Sequence, residues 1–146
     1  MPGVVEFVRQ FQKHCPLAIC SGALRVEIEA MLRVVGLLDA FDILITGGDV
    51  LVGKPDPMGY LETVRQLNAK HGLDLTPGDC LIVEDAPKVA RNARSVGFSV
   101  LGVTTSQPVE NWGEVEWLAK SLRAADLGEA GFSAIGMVKK ATRPLR

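Results

Sequence analysis

Apolar positions recur along this chain in two alternating patterns, short unbroken runs and stripes at helical spacing. Val4, Val5, Phe7, Val8 and Phe11 stand between polar residues, which predicts a helix from Val4 to His14 entered through Pro2-Gly3. Leu17-Ala18-Ile19-Cys20 is a short buried strand, turned by Ser21-Gly22-Ala23 into an amphipathic segment from Leu24 to Val35. Gly36 closes that helix, and Asp42 to Thr46 reads as the next strand, ended by Gly47-Gly48. Pro55 and Pro57 bias Lys54 and Asp56 away from helical angles, so Gly53 to Pro57 is a loop; Asp56 can cap, and Pro57 can open, a helix running to His71. Thr76-Pro77-Gly78-Asp79 turns the chain into Cys80-Leu81-Ile82-Val83, a strand apolar on both faces that ends abruptly in Glu84-Asp85. Ala86 to Val96 is helical, Phe98 to Val103 is a fourth strand, and Asn111 to Leu122 is read as a last helix.

Strands alternating with helices predict an α/β fold, a parallel sheet with helices on both faces. With 146 residues, 47% of them hydrophobic, the chain can bury one core. The expected organisation is a core domain over residues 1–127 and an irregular basic tail over 128–146, ending Lys139-Lys140-Ala141-Thr142-Arg143-Pro144-Leu145-Arg146.

Charge and cysteine usage narrow the functional classes. A formal charge of −1, from 16 basic and 17 acidic residues without long runs, gives no electrostatic case for nucleic acid or an anionic membrane. No basic leader precedes an apolar core at the N-terminus, and no run approaches the roughly 18 apolar residues of a membrane span, so a cytoplasmic location is expected. Cys15, Cys20 and Cys80 show no C-x-x-C spacing and read as reduced small hydrophobes. His14 and His71 lie at helix ends, where a cation suits the dipole.

The candidate chemistry collects at strand-to-helix junctions, where open α/β sheets bind ligands: Ser21, Lys54 and Glu84-Asp85. Each has a plain structural alternative. Ser21 can cap the second helix, Lys54 can be a solvent-facing lysine, Asp85 can cap the helix after it and Glu84 can be solvated. Together they offer a hydroxyl at a helix N-terminus for a phosphate oxygen, a lysine to offset phosphoryl charge, and carboxylates that can hold Mg²⁺.

Three segments, in order, resemble the haloacid dehalogenase superfamily of phosphotransferases, in the branch of β-phosphoglucomutase and phosphoglycolate phosphatase. They are Leu17 to Arg25 (LAICSGALR), Gly53-Lys54-Pro55-Asp56-Pro57 with Tyr60-Leu61, and Ile82-Val83-Glu84-Asp85-Ala86-Pro87 followed by Gly97. The likeness runs from Pro2 to Thr105. It implies a Rossmann-like core and Mg²⁺-dependent hydrolysis or mutase chemistry on a small phosphorylated metabolite. By the same resemblance Ser21, with Gly22, contacts the phosphate, Lys54 bridges phosphate and nucleophile, Asp85 binds Mg²⁺, Glu84 supports the metal or its water, and Asp56 is structural.

The chain also departs from that family. Its Asp-x-Asp motif, which supplies nucleophile, general acid and a metal ligand, follows no apolar strand here, and Val89 and Ala86 stand where glycine and serine are usual. The chain is therefore expected to correspond to the part after the family's first strand and helical cap, and to turn over little or nothing alone. The alternative is a non-catalytic interaction or scaffold module. In the family the first strand lies between those corresponding to Leu17–Cys20 and Cys80–Val83, so two strand edges here face a gap. Orphaned backbone groups cost roughly 1–3 kcal/mol each. Either the strands close up and pair, another segment or self-association fills the gap, or the chain folds poorly.

Overall fold

The computed structural model describes residues 1–128; the remainder of the basic tail lies outside them. Its elements are α1 (Val4–Phe11), β1 (Ala18–Cys20), α2 (Arg25–Val34), β2 (Ile43–Ile45), α3 (Met58–His71), β3 (Leu81–Glu84), α4 (Pro87–Ser95), β4 (Ser99–Val103) and β5 (Trp117–Ala119). Helices and strands fall within a few residues of the sequence expectation except at the end.

The helix expected over Asn111 to Leu122 is not formed. Val109–Asn111 is a single 3-10 turn, Trp112 is fully buried, and the chain re-enters the sheet as β5. Gly113, at φ 61°, breaks the helical path directly after Trp112. Beyond it, Trp117-Leu118-Ala119 pairs in parallel with Leu101-Gly102-Val103 of β4. The strand wins because it satisfies the open edge of β4 and covers Gly102, where a Cβ would meet the Trp112 ring at 2.5 Å and Leu118 at 2.7 Å.

All pairings are parallel, but the sheet comes in two pieces. β1 pairs with β2, setting Ala18, Ile19 and Cys20 opposite Ile43, Leu44 and Ile45. β3 pairs with β4 and β4 with β5. The strands flanking the gap, β1 and β3, have not closed up to pair with each other.

Helices bridge that break on both faces. On one, Gly59 of α3 packs against Cys20 and Ile45, while Tyr60 and Val64 join Ile82, Val89, Ala90, Phe98 and Val100. On the other, Val8 of α1 joins Ile28, Leu32 and Leu37, whereas Phe7 packs with Leu101, Val103 and Ala119; Val4 touches both groups. Burying one helix against both half-sheets holds them in place without direct strand pairing. The N-terminus is pinned as well: the Leu122 N–H donates to the Pro2 carbonyl at 3.0 Å, and Gly3, at φ 81°, leaves no room for a side chain against Leu122 and Arg123.

Candidate functional site

The C-terminal ends of β1, β2 and β3 bring the candidate residues to one end of the molecule. Ser21 follows β1 directly, its N–H donating to the Ile45 carbonyl at 2.9 Å. Its hydroxyl accepts from the Ala23 N–H at 3.2 Å, so it shapes the turn; the residue capping α2 is Leu24, not Ser21. Gly22 is exposed and abuts the next loop, where a Cβ on Gly47 would stand 3.2 Å from the Gly22 carbonyl oxygen. That loop is braced by Asp49, which accepts from Thr46 N–H at 2.7 Å, Thr46 Oγ1 at 2.6 Å and Arg25 at 2.9 Å. The two Thr46 bonds, helped by Arg25, hold the Asp49 carboxyl below its ordinary range.

Lys54 reaches the gap from the loop before α3. Its Nζ lies 2.7 Å from Glu84 Oε2 and 5.0 Å from the centre of the Tyr60 ring. The loop is fixed at both ends: Asp56 Oδ1 accepts from Met58 N–H at 2.8 Å, and Asn92 of α4 donates to the Pro55 carbonyl at 2.9 Å. The Lys54–Pro55 peptide bond is cis. α3 begins at Met58 with Pro57 at its cap, one residue later than expected.

Glu84 is not solvated; its side chain is 7% exposed. Oε2 accepts from Lys54 Nζ at 2.7 Å and Tyr60 Oη at 2.6 Å, and Oε1 from the N–H groups of Asp85 and Ala86 at 3.0 and 3.2 Å. These donors occupy the roughly four lone-pair positions of a carboxylate. Burial opposes ionisation, but the Lys54 charge and the bonds from Lys54, Tyr60 and Asp85 outweigh it and hold the Glu84 carboxyl below its usual value. Burial and the Glu84 charge push the Tyr60 hydroxyl well above its usual range, keeping it a donor.

Asp85 does not cap α4; the cap is Ala86, with no side-chain bond. Asp85 instead lines an open depression of about 440 Å³ shared with Lys88, Arg91, Ser106 and Gln107. Ser106 Oγ donates to the Asp85 carbonyl at 2.9 Å and lies 3.4 Å from Oδ2. Ser21, Gly22 and Lys54 line a separate small pocket with Cys20, Thr46, Gly47 and Gly59. Burial keeps the Cys20 thiol protonated, and all three cysteines are free.

The residues available to a Mg²⁺ ion are thus fewer than the sequence suggested. Glu84 is filled by its donors, and no three His, Cys, Asp or Glu side chains converge among the described residues. Asp85 is the strand-end carboxylate that is not filled by donors from Lys54 and Tyr60. Magnesium takes one or two carboxylates with water and phosphate oxygens, so these residues make a partial ligand set that needs a further oxygen donor.

Sequence reasoning missed the Tyr60 hydroxyl as the second donor to Glu84, as well as the Asn92 and Ser106 contacts and the Thr46-Asp49-Arg25 brace. A signal for Tyr60 existed: it is the only tyrosine of the chain and sits one turn into the helix behind Lys54.

The comparisons with known proteins bear on family and fold. A family model described as haloacid dehalogenase-like hydrolase matches residues 1–97. Among curated proteins, validoxylamine A 7'-phosphate phosphatase of Streptomyces hygroscopicus subsp. limoneus is 34% identical over 82% of this chain and 54% of its own length. β-Phosphoglucomutase of Bacillus subtilis is 30% identical over 75% of this chain and 45% of its own. Among solved structures, CbbY from Rhodobacter sphaeroides in complex with phosphate superposes with a TM-score of 0.73 at 23% identity, covering 87% of this chain and 55% of that one. The chain spans about half the length of the curated relatives it matches. No described helix is long and apolar enough to cross a membrane. With a hydrolase model matched over most of its length and a parallel α/β fold to suit, the chain belongs to the haloacid dehalogenase-like hydrolase family.

Proposed function

We propose that this chain is the phosphate-handling part of a phosphatase or phosphomutase acting on a small phosphate monoester. The observation that carries the reading is the placement of Lys54: its ammonium is fixed by Glu84 at 2.7 Å, at the end of the sheet where Ser21 and Gly22 also stand. A lysine pinned by a buried carboxylate is a fixed positive charge, suited to a phosphoryl group whose oxygens gain charge during transfer. In this reading Ser21 and the Gly22 backbone bind the non-transferring phosphate oxygens, and Lys54 contacts the transferring group. Glu84 acts through Lys54 as its positioning residue. Asp85 is the ligand this chain offers to Mg²⁺, which when bound would neutralise phosphate charge.

The names of the curated relatives support phosphate-ester chemistry, hexitol phosphatase A of Escherichia coli among them. In-line transfer also needs an attacking group, and Ser21, Lys54, Glu84 and Asp85 do not include a carboxylate free to attack phosphorus. The lone chain is therefore proposed to bind phosphate without turnover. Titration of the isotope-labelled chain with inorganic phosphate, read by amide shifts, tests this. Lys54→Met should weaken binding at least about tenfold, the loss of one charge-assisted contact of about 1.5 kcal/mol or more, and Ser21→Ala less. Shifts that ignore Lys54, or phosphate release from a monoester panel that depends on Asp85, would refute the proposal.

A further inference from the structure

The outward side of α2 is apolar, and none of the described residues covers it. Ile28 and Leu32 turn inward to join Val8 and Leu37. Val26, Ala30 and Val34 stand four residues apart, which at about 3.6 residues per turn stacks them in one row on the side facing away from that core. Val26 is 70% and Val34 87% exposed, with Ala30 exposed between them. A helix lying on a sheet ordinarily turns polar residues outward, so an apolar row there marks a contact surface. Charges flank the row: Glu27 borders it on one side and Arg33 on the other, both exposed.

The row is symmetric about Ala30. Val26 and Val34 lie equally far from it along the chain, and so do Glu27 and Arg33, which carry opposite charges. We infer that two copies of this chain associate through the outer face of α2, the helices crossing antiparallel on a twofold axis at Ala30. That arrangement sets Val26 of each copy against Val34 of the other and Glu27 against Arg33, every contact occurring twice. Ala30 at the crossing leaves room for the helix axes to approach to about 8–10 Å. An unrelated partner would need a matching surface, but nothing in its binding would require the valines and the opposite charges to be placed evenly about one residue. Both charged groups have capacity to spare: Glu27 Oε2 accepts from the Leu24 N–H at 3.1 Å and leaves Oε1 free, and Arg33 Nη2 donates to Glu29 at 3.3 Å with its other N–H groups unused. The helix is only about 15 Å long, so the contact falls below the roughly 1,200 Å² of a stable interface and the dimer is a weak one. The association is independent of the phosphate chemistry proposed above.

Sedimentation velocity of the full chain, from micromolar to millimolar concentration, should show a reversible monomer–dimer equilibrium that Ala30→Arg abolishes. Glu27→Arg and Arg33→Glu each set like charges opposite one another at two points, and each alone should weaken self-association at least about tenfold. Mixed in equal amounts, the two variants carry only opposite charges across the contact. They should form a heterodimer at least as tight as the native dimer, a rescue that damage to either fold could not produce. Ala30→Arg in either member should remove that heterodimer, which separates it from general attraction between oppositely charged chains. Val26→Lys mixed with Val34→Glu is a second complementary pair that leaves the Glu27 and Arg33 bonds in place, so the test survives if either charge reversal unfolds the chain. A chain that stays monomeric throughout, whether or not residues 129–146 shield α2, would overturn the inference. So would a dimer that ignores these substitutions and pairs through its strand edges instead, or folded complementary variants that fail to associate when mixed.

Discussion

At the scale of single residues, Glu84 governs the site because it is buried and fully bonded. Removing one partner of a buried pair strands the other, so Glu84→Ala should destabilise the chain by about 3–5 kcal/mol in urea titrations. Tyr60→Phe removes one hydrogen bond to a charged acceptor and should cost about 1.5 kcal/mol. Glu84 also sets an acid limit. Its folded pKa lies below the ordinary 4.5, so its stabilising contribution is complete above that pH and is lost as the pH falls through the lower folded value. Urea midpoints measured from pH 6 to pH 3 should fall less steeply in Glu84→Gln than in the native chain. An unchanged slope would show that Glu84 is not held as described.

At the scale of elements, close approaches decide what each helix and strand can accept. A Cβ on Gly59 would stand 2.7 Å from Cys20 Sγ, where α3 crosses β1. Gly59→Ala should therefore cost about 1–3 kcal/mol despite the better helix propensity of alanine. Cys20→Ala, which removes the obstructing sulfur, should recover part of that loss in the double variant, and strict additivity would refute the contact. Gly102→Ala presses a Cβ into the rigid, fully buried Trp112 ring at 2.5 Å and the Leu118 side chain at 2.7 Å. It should disrupt the β4 to β5 pairing and show as increased Trp112 fluorescence quenching by iodide. The same contact explains why the segment after Gly113 is a strand.

At the scale of the whole molecule, the divided sheet predicts uneven stability. β4 is paired on both sides and buried from Val100 to Val103, whereas β1 and β3 are each paired on one side only among the described residues. Amide exchange in the lone chain should be slowest in β4 and markedly faster on the facing edges of β1 and β3, close to the free energy of local opening. Mg²⁺ binding should be weak, in the millimolar range typical of few-ligand sites, and lost in Asp85→Ala when followed by amide shifts. Tight binding that survives that change would place the metal elsewhere.

The sequence by itself determined the alternation of strands and helices through α4 and β4, the parallel class, and the family likeness. It also marked Ser21, Lys54, Glu84 and Asp85 as residues at strand ends, because hydrophobic periodicity and turn residues act over a few neighbours. Tertiary structure decided the rest. Whether Glu84 is solvated or clamped depends on Tyr60 and Lys54, residues 24 and 30 positions away. Whether 117–119 is helix or strand depends on the open edge of β4, and whether β1 and β3 pair depends on two helices bridging them. Such outcomes turn on which distant groups burial brings together, a quantity that local pattern does not contain.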